Sequence, residues 1–354
     1  MMRKNLFISQ IDAPMYVESI FVVEEKQVRL TKMGDPYVNL KLVDKTGSIS
    51  AKIWKDSAID LENVPSKGAV YIKGRAEIFN DAMQIVIESI APVEPQNINP
   101  SDFVPRLDGD PDALLEKLKK LLKPAFSSVY GPLLKKFFAD SVLVDGFKTA
   151  PAAVKIHHAY IGGLLEHTFS VVKLCSYISE QYTFLDQPLL LTGAFFHDIG
   201  KIKEFRYDWT IDYSDEGKLI GHIVLGVQIV DNLIRLLPSF PSEAAMLLRH
   251  LILSHHGEPE MGTVKPPMTR EAMALHLADD LDAKMASLNR IYEETRPESR
   301  WTEYQKIYSR SFFLPVDIEA ELISAPGNES QRVYAATGVQ LPIQKLIGKL
   351  EKNS

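Results

Sequence analysis

Up to about Pro95, apolar and polar positions alternate in short runs. In PYVNLKLVD, Val38, Leu40 and Leu42 fall on one side of an extended chain, and Tyr37, Asn39 and Lys41 on the other. In the run that follows, Ile49, Ala51 and Ile53 oppose Ser50, Lys52 and Trp54. A period of two puts one face in a core and the other against solvent, so these runs predict strands. VESIFVVEEKQVRL, AVYIKGRAEIF and MQIVIESIAPV share the character, with turns predicted at 32–35, 44–47 and 79–82 where Gly, Asn and Asp intervene. The period then changes. DALLEKLKKLL, SVVKLCSYISEQY, LIGHIVLGVQIVDNLIRLL, SEAAMLLRHLILSHH and MALHLADDLDAKMASLNRIY repeat their apolar residues at three and four, which predicts helices.

The expected organisation is a β-domain over residues 1–95, a Pro-rich linker over 96–111, an all-helical domain over 112–315 and a tail over 316–354 that ends in the amphipathic LPIQKLIGKLEK. Five short antiparallel strands in under a hundred residues suit a small closed barrel, and their order resembles an OB-fold. Barrels of that kind hold single strands by stacking bases on aromatic rings while lysines follow the phosphates. Tyr37, Lys41, Lys52 and Trp54, with Phe79 beside them, are the candidates for nucleic-acid contact. Burial of Tyr37 and Trp54 in the barrel core or an interface is the alternative.

Composition narrows the classes. The chain has 354 residues, enough for about two domains, and a net charge of -6, so no overall basic field advertises a polyanion. The first 95 residues hold twelve Lys and Arg against thirteen Asp and Glu, so any nucleic-acid site there is local. Cys175 is the single cysteine, which excludes an intrachain disulfide and a cysteine-rich zinc site; its helical apolar surroundings make it a buried, inert thiol. No run approaches the ~20 apolar residues that span a bilayer, so a cytoplasmic protein with no membrane partner is expected.

All nine histidines lie between 157 and 276, none of them in the β-domain. A single histidine on an apolar helix is more often a satisfied core residue than a ligand, and an Asp at a helix start is usually a cap. Here His167, His197, Asp198, His222, His255, His256 and Asp279 all sit within or at the ends of helical patterns. Burying so many imidazoles beside carboxylates leaves many polar groups to satisfy, and a metal satisfies them together. The donors are nitrogen and oxygen without sulfur, which suits Mn²⁺, Co²⁺ or Fe²⁺ better than structural zinc. Lys201 follows Asp198 by three residues and is expected on the same helical face.

The order His167, His197–Asp198, Asp279 resembles the HD phosphohydrolase superfamily, and His222 with the doublet His255–His256 resembles its two-metal branch. With the barrel in front, residues 10–315 look like the YhaM-type 3′-to-5′ exoribonucleases. The resemblance implies that His167, His197, Asp198 and Asp279 hold one divalent ion and that Asp198 bridges to a second held by His222, His255 and His256. Asp279 is favoured within AspAspLeuAsp, with Asp280 and Asp282 as the neighbouring options. Two divalent cations and two aspartates leave the site at +2, which a hydroxide and a phosphodiester would neutralise. Asp198 and Lys201 are then the catalytic candidates, Lys201 stabilising charge on the phosphate.

The implied activity is metal-dependent 3′-to-5′ hydrolysis of single-stranded RNA, with single-stranded DNA as a further substrate, to nucleoside 5′-monophosphates; the polarity comes from the resemblance alone. A homo-oligomer is compatible with the sequence. Two alternatives stay open, a phosphodiesterase or nucleotidase for a small nucleotide, and a non-catalytic RNA-binding protein. Against a cyclic-dinucleotide enzyme, HisHisGlyGluProGluMetGly lacks the GlyTyrPro that follows the doublet there. His157 and His158 are read as equally suited to nucleotide contact or structure, Lys155, Lys203 and Arg206 mainly as solvated charge, and His250 and His276 as core or surface residues.

Overall fold

The computed structural model describes residues 4–315 apart from 56, 58, 81, 155–157, 208, 259–261 and 296–298. Two units make up the chain, residues 1–286 and 287–354. The first opens with β1 (Met15–Leu30), β2 (Pro36–Asp44), β3 (Gly47–Ile53), β4 (Gly68–Phe79) and β5 (Ala82–Pro92). These close into a barrel in the order β1-β2-β3-β5-β4, antiparallel throughout except for the β3–β5 pair. This is the expected OB-like architecture, and closure leaves the sheet no free edge.

The alternation is realised residue by residue. Val38, Leu40, Leu42, Ala51 and Ile53 are completely buried among Phe21, Val70, Ile72 and Ile85, while Tyr37, Asn39, Lys41 and Lys52 stay on the outer face. β1 serves both β2 and β4, and a register shift between Val23 and Glu25 bends it enough to do so. A second shift follows Lys73, where Gly74 lets β4 and β5 meet: an added Cβ would lie 2.3 Å from the Val86 carbonyl. Lys4 plugs the side of the barrel. Its Nζ donates to the Ile20 carbonyl at 2.6 Å, pairs with Asp44 at 3.0 Å and sits 3.7 Å from the centre of the Phe21 ring.

The segment expected to be a linker is not a loose tether. Ile98 and Phe103 are buried against Ile20 and Val22 of the barrel, because these two apolar residues interrupt an otherwise polar run. Beyond it, the Leu107 amide donates to the Ile161 carbonyl and the Ile161 amide to Pro105, which ties the segment to the helices.

Eleven helices follow among the described residues: α1 (Pro111–Leu121), α2 (Lys123–Phe126), α3 (Gly131–Ala139), α4 (Ser141–Thr149), α5 (Gly163–Gln181), α6 (Gln187–Phe196), α7 (Lys201–Glu204), α8 (Asp215–Leu219), α9 (His222–Arg235), α10 (Ser242–Ser254) and α11 (Arg270–Glu294). A two-stranded hairpin, β6 (Phe205–Arg206) with β7 (Asp212–Tyr213), interrupts them. The core centres on Phe137, whose ring meets Phe147, Phe195 and Phe196 edge-on at 5.0–6.0 Å. Phe195 and Phe196 directly precede His197, so this aromatic cluster anchors the segment that carries the HisAsp pair. Cys175 is fully buried in the same core. No helix among the described residues is long and apolar enough to cross a membrane.

In the second unit α11 runs to Glu294, and short bridges follow, Trp301 with Phe313 and Gln305 with Arg310. The amphipathic stretch of the tail lies outside the described residues.

Candidate metal centre and nucleic-acid face

Five elements converge on one buried point. His167 comes from the second turn of α5, His197 caps α6, His222 opens α9, His255 and His256 follow α10, and Asp279 lies in α11. Asp198 is not inside a helix, as the apolar pattern suggests, but in the turn between α6 and α7. Gly200 packs this turn tightly on α9: an added Cβ would stand 1.9 Å from the His222 carbonyl oxygen, so only a glycine allows the approach. Asp198 and Lys201 still share a side, with Nζ 2.5 Å from Oδ2.

Four of the imidazoles are held in one tautomer. Nδ1 of His197 donates to the Ala194 carbonyl at 2.8 Å and that of His255 to Ile252 at 2.7 Å; Nδ1 of His167 donates to Asp282 at 2.8 Å and that of His222 to Glu204 at 3.0 Å. Each ring therefore turns its Nε2 toward the centre, the atom through which such an imidazole binds metals. There the two oxygens of Asp198 divide the donors. Oδ2 lies 3.4 Å from Nε2 of both His167 and His197, and Oδ1 lies 3.5 Å from Nε2 of both His222 and His255. Asp279 completes the first group, 3.1 Å from His167 and 3.6 Å from His197. His256 belongs with the second group.

The donor set fits divalent cations on a physical test. Asp198 Oδ1, His222 Nε2 and His255 Nε2 are buried side-chain atoms without a hydrogen-bond partner. Lone pairs left facing one another in a buried site are costly, and a cation between them removes the cost. Their spacing suits it too, since adjacent ligands about 2.1 Å from an octahedral ion stand roughly 3 Å apart. His158, His167 and Asp282 also cluster, but there His167 uses the nitrogen that donates to Asp282. That group is a hydrogen-bonded support rather than a third site.

Electrostatics follows the same division. Burial works against protonated imidazole, yet Asp198 and Asp279 raise His197 to about 9, and these two with Asp282 raise His167 well above its ordinary value. Where the rings face mostly each other, burial prevails: His255 is lowered, and His256 is pushed down to about 3 by burial together with His255 and His222. Against burial, Lys201 and His197 hold Asp198 well below the usual carboxylate range, and His167 and His197 do so for Asp279. In the first group His167, His197 and Asp279 would hold a cation in place of these protons.

The centre forms one wall of a cavity of about 520 Å³. Asp198, Lys201, His222, His256 and Asp279 line it, as do the aromatic residues Phe205 and Tyr213. His276, which its helical phase placed in the core or at the surface, reaches this cavity, and its Nδ1 donates to the His255 carbonyl at 2.9 Å. Lys203 and Arg206 are exposed; His157 and Lys155 lie outside the described residues.

On the barrel, Tyr37 and Trp54 stack at 5.1 Å, and Lys52 stands 4.6 Å from the Phe79 ring and 5.6 Å from Trp54. These four form one patch on the outer face. They are not core residues. Lys41, on the same face, is bound to Glu24 at 2.5 Å.

Residues 164–284 match the model of the HD domain family. The 3′-5′ exoribonuclease YhaM of Bacillus velezensis is 30% identical over 319 residues, covering 89% of this chain and 99% of that protein. The corresponding protein of Bacillus subtilis is 31% identical over 320 residues with the same coverage, and that of Halalkalibacterium halodurans 32% over 304, covering 84% and 93%. The chain belongs to the YhaM family.

Two carboxylates of this YhaM-family site were not legible as such. Glu204 is buried and accepts from both the ring and the backbone amide of His222, at 3.0 Å each. Asp282 accepts from His167 and from His158 Nε2 at 3.2 Å, and His158 in turn meets Tyr160 at 2.7 Å. Asp282 had a signal: it follows Asp279 by three residues and shares its helix face. Glu204, among charged residues in LysIleLysGluPhe, had none.

Proposed function

We propose that this protein is a divalent-metal-dependent exoribonuclease that removes nucleoside 5′-monophosphates from the 3′ end of single-stranded RNA, and acts on single-stranded DNA by the same chemistry. The observation that carries the reading is the arrangement of Asp198, with donors grouped on each of its two oxygens beside a cavity, in a chain of the YhaM family.

His167, His197, Asp198 and Asp279 would hold one ion, and Asp198, His222, His255 and His256 a second; Mn²⁺ is the favoured metal, with Co²⁺ and Fe²⁺ as alternatives. Bound there, such ions supply an acidified water and electrostatic stabilisation of the attacked phosphate. Attack on the terminal phosphorus breaks its bond to the preceding 3′ oxygen. That oxygen leaves with a proton, and the released nucleotide keeps the phosphate on its 5′ side. Asp198 fixes the spacing of the two halves of the site, while Glu204 and Asp282 fix the rings of His222 and His167. Lys201 lines the cavity and pairs with Asp198; with ions held on the Asp198 oxygens, its positive charge would turn to the phosphate. The patch of Tyr37, Lys52, Trp54 and Phe79 would hold the strand upstream by stacking, with Lys41 at its margin. On this reading the protein has a binding domain over 1–95, a connecting segment over 96–111, a hydrolase domain over 112–315 and a tail, and acts in the cytoplasm, with self-association as an open question for sizing.

The test is a 5′-labelled single-stranded RNA with Mn²⁺, with and without chelator, alongside metal analysis of the purified protein. A descending ladder that chelator abolishes, with two ions per chain, is expected. Intact RNA with hydrolysis of a free nucleotide would overturn the exonuclease reading in favour of a small-molecule enzyme, and a shifted but uncut RNA would leave only a binding protein.

A further inference from the structure

From the geometry of the cavity we infer that Tyr213 is the platform on which the terminal base stacks, and so a substrate-binding residue of the site; the inference rests on the exonuclease reading above. Two unlike groups of residues line the cavity. One is the charged cluster around Asp198, suited to a phosphate; the other is the aromatic pair Phe205 and Tyr213. A volume of about 520 Å³ falls within the range of small-ligand sites, roughly 300–1,000 Å³. It admits a single nucleotide with its phosphate toward the cluster. The base must then lie away from the charges, where aromatic surface is available.

Tyr213 is the ring placed to receive it. It lines the cavity and is 42% exposed, so part of its surface is open to a ligand. Its other contact is with Phe205, 5.3 Å away between ring centres at 54°, the residue it pairs with across the β6–β7 hairpin. Position is fixed on both sides. The following residue, Ser214, donates from its hydroxyl to the Lys203 carbonyl at 2.7 Å and from its amide to Glu204 at 2.8 Å. The preceding residue, Asp212, pairs with Lys67 of the barrel at 2.5 Å, and Trp209 of the hairpin packs beside Ile20 and Val22 of β1. A platform already held in place loses little freedom when a base settles on it. Stacking accepts every base, as a degradative exonuclease requires. The same hairpin thus touches the barrel, presents Tyr213, and follows directly on Glu204, which orients His222.

The experiment compares two oligonucleotides, one with an intact 3′-terminal nucleotide and one whose terminal residue lacks its base, and reads the ratio of kcat/KM between them. The wild-type protein is expected to prefer the intact end on the order of tenfold, the effect of one stacked base. In Tyr213→Leu, which keeps an apolar contact with Phe205 but no ring face, the ratio falls toward one. Tyr213→Phe restores it. A Tyr213→Leu protein that keeps the wild-type ratio overturns the inference, as does one that loses both substrates equally, which would make Tyr213 a scaffold residue. A wild-type protein that shortens neither oligonucleotide overturns the exonuclease reading itself.

Discussion

The barrel face and the metal centre both collect charged and aromatic side chains, yet they are built on opposite terms. Tyr37, Lys52, Trp54 and Phe79 lie on or beside the strands of one barrel and stay partly in water, touching one another only at the surface. At the metal centre, His167, His197, Asp198 and His255 are almost wholly buried and come from three separate segments of the chain. Each satisfies or orients a neighbour. Substitutions on the barrel should therefore act in small steps, and substitutions at the centre should act together and hard.

Asp198→Asn is the sharpest way to break the centre. It keeps the volume while removing the charge shared by both donor groups, so activity should fall at least about 10³-fold. RNA affinity, measured by fluorescence anisotropy, should remain near wild type because the barrel is untouched. A variant that cuts at the normal rate would show that Asp198 does not join the two halves.

Glu204→Gln and Asp282→Asn come next. Each leaves every proposed ligand in place and weakens only the group that orients His222 or His167. Such supports are worth roughly 10–100-fold in metal affinity. Mn²⁺ titration of the stripped proteins should show this loss, and excess Mn²⁺ should restore much of the activity. Equal Mn²⁺ affinity in the variants and the wild type would leave these carboxylates as packing alone.

These two residues also mark how far the sequence could be read. The barrel was legible because a period of two exposes the fate of each position: Val38, Leu40 and Leu42 went inward and Tyr37 and Lys41 outward. The HD order was legible because the match spans several motifs. Asp198 was placed in a helix, since an apolar run looks the same whether it continues or stops; in the structure α6 ends at Phe196. Glu204, Lys4 and the buried Ile98 and Phe103 depend on contacts between distant segments, which local pattern does not encode.

On the barrel, Trp54→Ala removes one partner of the Tyr37 stack and one stacking surface. A loss of about 1–3 kcal/mol in binding of single-stranded RNA is expected, with kcat on a short substrate kept. If affinity is unchanged, the strand takes another route.

The smallest expected effect separates two lysines that look alike in the sequence. Lys52 lies against Phe79 and Trp54, whereas Lys41 is bound to Glu24 at 2.5 Å on the same face. A lysine already neutralised by a carboxylate gives little to a phosphate, because the gain must first replace that pair. For single strands each phosphate contact adds about 0.7 to the slope of log affinity against log salt. Lys52→Ala should therefore lower that slope by about 0.7, and Lys41→Ala should leave it nearly unchanged. Equal losses from the two substitutions would mean that Glu24 gives way when RNA binds, and that the phosphate path runs along β2 as well as beside the aromatic patch.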